Sequence, residues 1–243
     1  MLPRIDTSIP SAPKTPNQGS FIRTGQGKKF NFNASTSTTT FRMGVSSDVE
    51  YALLPTLLSR LRIEAPDVTL MIVQADPQQL SSLLSSGEIS LGIGPTASSP
   101  FFLNQHVLRT LRTMVLRADA GPGPLCLKEF CRRPHASVSF AQHINRHVDE
   151  YLDSCGHQRR VALAVSQFNS LPTLLSHTDL LAVVPDYVAA EMTKKVGLRA
   201  EVAPLPNLEL DVSMVWSHAA ALDPAQHWLR SRCVLLLGNN PSD

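Results

Sequence analysis

The chain has 243 residues, 43% of them hydrophobic and 17% charged, with a formal net charge of +2. That apolar content supports a packed core in one large domain or two small ones and excludes wholesale disorder. So small a charge excludes a protein that grips nucleic acid through bulk positive potential, the more so because residues 1–33 alone carry +4, in Arg4, Lys14, Arg23, Lys28 and Lys29 against Asp6, leaving −2 for the rest.

In chain order, residues 1–40 read as a tail and linker. Four of the first sixteen residues are Pro, and the run from Ser35 to Thr40 has no period that would bury a face. Order is expected from Phe41. Phe41–Ser46 reads as a strand, Ser47 and Asp48 as cap chemistry, and Glu50–Glu64 as a helix on the spacing of Leu53, Leu54, Leu57, Leu58 and Leu61. Pro55 places its true start a few residues late. Val68–Gln74, the helix Pro77–Ser85 closed at Gly87, and Ile89–Ile93 complete a strand–helix rhythm that predicts a parallel sheet with crossover helices.

Val107–Leu116 breaks that rhythm as one long apolar stretch running from one sheet toward another, before the turn cluster Gly121–Pro124. Alternation then resumes. Strands are expected at His135–Phe140, Val161–Val165, Leu180–Val184, Leu198–Leu205 and Leu210–Trp216, and helices at Ile144–Ser154, Phe168–Ser176, Tyr187–Lys195 and Pro224–Leu237. In the last helix Trp228, Leu229, Val234 and Leu235 are expected to point inward. The fold class is therefore α/β with two facing units: residues 41–115 plus 210–243 as the first lobe and 116–209 as the second. In such sheets ligands sit beyond the carboxyl ends of the strands.

No apolar run approaches the roughly 18 residues of a membrane span, and the first twenty residues lack the apolar stretch of a secretory signal. A cytoplasmic protein without membrane contact is expected. Cys126, Cys131, Cys155 and Cys233 show no C-x-x-C spacing, so reduced structural thiols are expected, with no metal and no cofactor.

The stretch FNFNASTSTTTFRMGVSSDVEYALLPTLLSRLRIEAPDVTL (residues 30–70) resembles the start of the effector-binding domain of LysR-type transcriptional regulators. There a Ser/Thr linker precedes a strand, a polar turn and a Leu-Leu-Pro helix ending at Ala-Pro. GEISLGIGP (87–95), HQRRVALAVSQFNSLPTLLSHTDLLAVVPDYVAAEM (157–192) and VSMVWSHAAALDPAQHWLRSRC (212–233) continue the resemblance in order. It is greatest to the branch of nodulation regulators and regulators of nitroaromatic and naphthalene degradation. The resemblance implies a two-lobed, periplasmic-binding-protein-like (type 2) fold. Each lobe would be a mostly parallel sheet flanked by helices, with a two-strand hinge. It also implies a small effector, expected to be anionic or aromatic or both, and a homodimer or higher oligomer; the apolar Leu positions of Glu50–Glu64 are expected to contribute surface to that pairing. Members carry a winged helix-turn-helix before this domain. Only some 30 Pro-rich residues precede it here, so DNA contact is expected only through a segment outside this chain, as in a truncated or mis-started product.

Candidate site residues follow from strand ends. Ser46 and Ser47 combine hydroxyls with the start of a helix, suited to a carboxylate; an ordinary N-cap is the competing explanation. Pro95 and Thr96 face the same cleft or form a plain turn. Ser139 and Phe140 offer a hydroxyl beside a ring-stacking wall, against a simple core Phe. Gln167 and Phe168 end a strand and open a helix; the resemblance puts a His at the position of Gln167 in the aromatic-responsive branch, and the amide removes that titratable donor. Ser217 and His218 follow the returning strand and would close the cleft from the hinge side, against a surface or core His. His143 and His147 have metal-compatible spacing, but a solvated helix face explains them better. No G-x-S-x-G, phosphate loop or H-E-x-x-H occurs, so no catalysis is expected. A transport-type solute receptor, which shares the architecture, a hydrolase, and a regulator remnant that binds nothing remain the rivals.

Overall fold

The structure, a computed structural model, describes residues 32–95, 103–118, 121, 123–138, 142–194, 197–206 and 210–238. Two five-stranded sheets share one compact unit.

The first sheet runs β2 (Thr69–Gln74), β1 (Thr40–Val45), β3 (Leu91–Pro95), β10 (Leu210–Ser217), β4 (Leu103–Leu111). β1 is parallel to both neighbours, whereas β10 is antiparallel to β3 and to β4. Four strands thus share one direction and the returning β10 alone opposes them. The alternation of β1 explains its central place. Phe41, Met43 and Val45 are fully buried on one face, against α2 (Leu54–Glu64) and α8 (Pro224–Leu237). Gly44 faces the other way, where a Cβ would stand 2.5 Å from Leu80 and 2.6 Å from Ile89. α3 (Pro77–Ser86) therefore packs straight onto the backbone of β1. A full capping box between Asp76 and Gln79 starts α3, and Gly87, at φ 74°, ends it.

The second sheet repeats the pattern: β7 (Arg160–Val165), β6 (Pro134–Val138), β8 (Leu181–Pro185), β5 (Thr113–Arg117), β9 (Arg199–Val202). Here the arriving β5 is the strand that opposes the rest. α4 (Leu127–Arg132) and α5 (Gln142–Ser154) cover one face through Phe130, Ile144, Val148 and Leu152. α6 (Leu171–Ser176) and α7 (Asp186–Thr193) cover the other. The core under α6 and α7 is continuous with that under α1 (Ser47–Ala52) and α2, so one apolar cluster joins both lobes.

Several expectations change. Packing begins before Phe41: Asn33 caps a single turn at Ala34–Thr36, and the Phe32 ring lies 5.1 Å from Trp228 and 6.2 Å from Phe41. The expected Glu50–Glu64 helix is two helices that meet at Leu53, because Pro55 supplies no N–H and takes the first turn of α2. The stretch 107–116 is two strands broken at Arg112, whose carbonyl accepts from Asp186 N at 2.9 Å. α4 had no counterpart in the sequence reading. In α8 the phase differs: Leu229, Cys233 and Leu237 are buried while Val234 and Leu235 are exposed. Arg230 explains the tolerance of charge on that face. It donates to the carbonyls of Ala220 and Ala221 at 3.0 Å and lies 4.9 Å from the Trp216 ring.

Candidate functional site

Strand ends from both sheets meet around a cavity of about 250 Å³, lined by Ser47, Glu50 and Tyr51 of α1, Gln74 at the end of β2, and Gln167, Phe168 and Asn169 beyond β7. Three of the expected residues, Ser47, Gln167 and Phe168, therefore converge from opposite lobes. Periodicity explains the convergence: β1, β2 and β7 are parallel strands of two sheets that face each other, and their carboxyl ends carry the turns.

Locally, Ser46 sits at the N-cap position of α1 but makes no side-chain cap bond. Its N–H donates instead to Ile93 O at 3.0 Å, tying the end of β1 to β3. The hydroxyls of Ser46 and Ser47 and Nε2 of Gln74 are buried with no hydrogen-bond partner among the described residues. The expected competition from ordinary capping is thus not realised, and these groups are available to a guest or to water. Phe168 is buried with its ring 6.2 Å from that of Tyr51, making an aromatic pair that bridges the lobes. Burial, and then the Glu191 carboxylate nearby, raise the Tyr51 hydroxyl above its ordinary value, so it stays a neutral donor.

Pro95 is buried at the end of β3 opposite Val212. Thr96, Ser139 and Phe140 lie outside the described residues. Ser217 and His218 are not brought to the cleft. β10 runs antiparallel to β3, with Val212 opposite Pro95 and Val215 opposite Gly92, so Ser217 lies toward the opposite end of the sheet. There its hydroxyl accepts from Ala220 N at 3.3 Å and starts a 3-10 stretch at His218. The sequence order of a strand and its following residues reveals a strand end, but only the direction of that strand in the sheet tells which end.

Sequence reasoning missed a buried polar group beside the cavity. Asp48, 1% exposed, accepts a hydrogen bond from the Tyr187 hydroxyl, which α7 supplies from the other lobe. The Arg109 guanidinium, from β4, lies 5.2 Å from the Tyr187 ring centre. Burial first, and then the neighbouring Asp48, push the Tyr187 hydroxyl well above its ordinary range. The available signal was positional: Tyr187 follows a Pro-terminated parallel strand, as Ser47 and Asp48 follow β1. His147 lies 3.7 Å from Glu150, and no cluster of potential metal ligands occurs among the described residues. Glu50 is the only charged side chain of the described lining.

Residues 34–234 match the model of the LysR substrate binding domain. The chain belongs to that family. It is 30% identical over 203 residues to the HTH-type transcriptional activator NahR of Pseudomonas putida, covering 82% of this chain and 67% of that protein. It is 26% identical to the HTH-type transcriptional activator NagR of a Ralstonia species, covering 88% of this chain and 72% of that protein. The crystal structure of the regulatory domain of MexT, a transcriptional activator in Pseudomonas aeruginosa, is 46% identical. It superposes with a TM-score of 0.76, covering 82% of this chain and all of that one. The two sheets with their helices are the periplasmic-binding-protein-like type 2 fold of LysR regulatory domains. The family is one of transcriptional regulators, and the chain spans about two thirds of the length of the curated relatives it matches. No described helix is long and apolar enough to cross a membrane.

Proposed function

We propose that this LysR-type domain senses a small effector in the cleft between its lobes and works as a cytoplasmic, non-catalytic module of a transcriptional regulator. The carrying observation is the cavity itself, built by side chains at the strand ends of both sheets and lined by Ser47 and Gln74 atoms that lack partners among the described residues. A guest that touches both lobes binds one lobe arrangement better than another, and that difference in affinity is the signal. A winged helix-turn-helix joined to the domain would carry the change to DNA. The ring pair Tyr51–Phe168 supports a guest with an apolar or aromatic body.

Pairing of two copies is part of this reading. Leu58 and Ile63 of α2 and Met71 of the edge strand β2 leave apolar surface exposed, Ile63 at 74%. The test is a thermal-shift screen of aromatic acids, amines and amino acids on the whole chain, followed by calorimetry. Hits whose affinity falls in Ser47→Ala support the reading; hits indifferent to both Ser47→Ala and Gln74→Ala sink this cavity as the sensor.

A further inference from the structure

The cleft's charge selects its guest, an inference that rests on the effector-site reading above. The five positions after each of the parallel strands β1, β2, β7 and β8 hold the acids Asp48, Glu50, Asp76 and Asp186 and no Lys or Arg, whereas β4, which runs in the direction of β1, is followed by Arg112. Not all four acids are available. Asp76 accepts from the N–H groups of Gln78 and Gln79 in the cap of α3. Asp48 is engaged by Tyr187, with Arg109 near that ring. Asp186 begins α7 outside the described cavity lining, with its Oδ1 buried and without a hydrogen-bond partner among the described residues. Glu50 is different: exposed, on the cavity wall, and without a counter-ion among the described residues. Glu191 also raises the Tyr51 hydroxyl, but its carboxylate is ion-paired with Lys194.

An acidic group alone does not make a site. Here it shares a cavity with the Ser47 hydroxyl, more than nine-tenths buried and unpartnered among the described residues, and with a tilted aromatic pair. A carboxylate beside ring faces attracts a cation twice, through its charge and through the rings' quadrupoles, and repels an anion. We infer that the cleft takes a small organic cation: a protonated amine whose ammonium group meets Glu50, with an apolar body against Tyr51 and Phe168 and a polar group reaching Ser47.

The test uses the whole chain and three compounds of matched size: phenethylamine, 2-phenylethanol and 3-phenylpropanoate. Calorimetry is expected to give the amine an affinity about tenfold above that of the acid, the difference one screened ion pair and one ring contact provide. Glu50→Gln should reduce the preference to about threefold or less while leaving the alcohol unchanged, and Glu50→Lys should reverse it. Glu50 is exposed, so neither variant burdens the core. An acid that binds as well as the amine, a preference that survives Glu50→Gln, or silence from all three compounds at about 10 mM overturns the inference. An acidic hit in the broader screen that depends on Ser47 would overturn the cation and leave the effector site standing.

Discussion

Ser47 keeps a buried hydroxyl with no partner among the described residues, and its removal costs nothing that the free protein already has. Ser47→Ala is therefore expected to leave the melting temperature unchanged or raised. It should weaken an effector found by screening by about 1 kcal/mol, the worth of one hydrogen bond; calorimetry beside thermal melting separates the two effects. Phe168 differs because it is core as well as wall: Phe168→Leu should weaken an aromatic guest by about 1 kcal/mol and also lower stability measurably. His135 is a third case. Its Nε2 donates to Phe130 O at 2.9 Å, its ring meets Phe130 edge-on at 4.6 Å, and burial lowers its pKa from 6.5 to about 4. Above pH 6.5 both folded and unfolded chains hold it neutral. Between pH 6.5 and 4 the unfolded chain takes up a proton that the folded chain refuses, so stability falls as pH falls. At about 1.4 kcal/mol per pKa unit the loss approaches ~3 kcal/mol. Urea titrations at pH 7 and pH 5 should show it, and His135→Gln should flatten this part of the dependence.

Between elements, α1 and α7 meet across the lobes through Asp48 and Tyr187. Tyr187→Phe keeps the ring under Arg109 but strands the Asp48 carboxylate, a loss of about 1–3 kcal/mol. Asp48→Asn should cost less when Tyr187 is already Phe than alone, and a urea-based double-mutant cycle measures that coupling. If the two losses simply add, the contact does not join the lobes energetically. On the far face of the first sheet, Gly44→Val would drive a side chain into Leu80 and Ile89, held by α3 and the turn after it. Overpacking there is expected to lower stability by about 1–3 kcal/mol, read as a lower urea midpoint.

For the whole molecule, the proposed pairing surface is the exposed apolar side chains of α2 and β2. Light scattering at micromolar concentration is expected to give the mass of a dimer or a larger oligomer. Ile63→Glu should weaken pairing by about tenfold or more, since a charge would replace an apolar contact at 74% exposure in the single chain. A monomer at every concentration would remove these surfaces from consideration. The single apolar cluster that runs under α1, α2, α6 and α7 is expected to make the two lobes melt together, read as one cooperative transition in scanning calorimetry.

Period and punctuation made most of the fold legible. Alternating residues in β1, the Asp76–Gln79 cap of α3, the stop at Gly87 and the Pro at the head of α2 are local features, decided by neighbours within a few residues. So were the strand ends that yielded Ser47, Gln167 and Phe168, because a turn after a parallel strand is written in consecutive residues. What the sequence could not supply were facts that depend on partners far along the chain. The direction of β10 carried Ser217 and His218 away from the cleft. The contact of Tyr187 with Asp48 spans 139 positions. The burial of Arg230 in α8 depends on its finding the carbonyls of Ala220 and Ala221, which no hydrophobic pattern announces. Charge in the cleft is of the same kind: Glu50 is one acid among many until folding sets it on one cavity wall with the Tyr51 and Phe168 rings, because a charge acts on what lies near it in space and not in sequence.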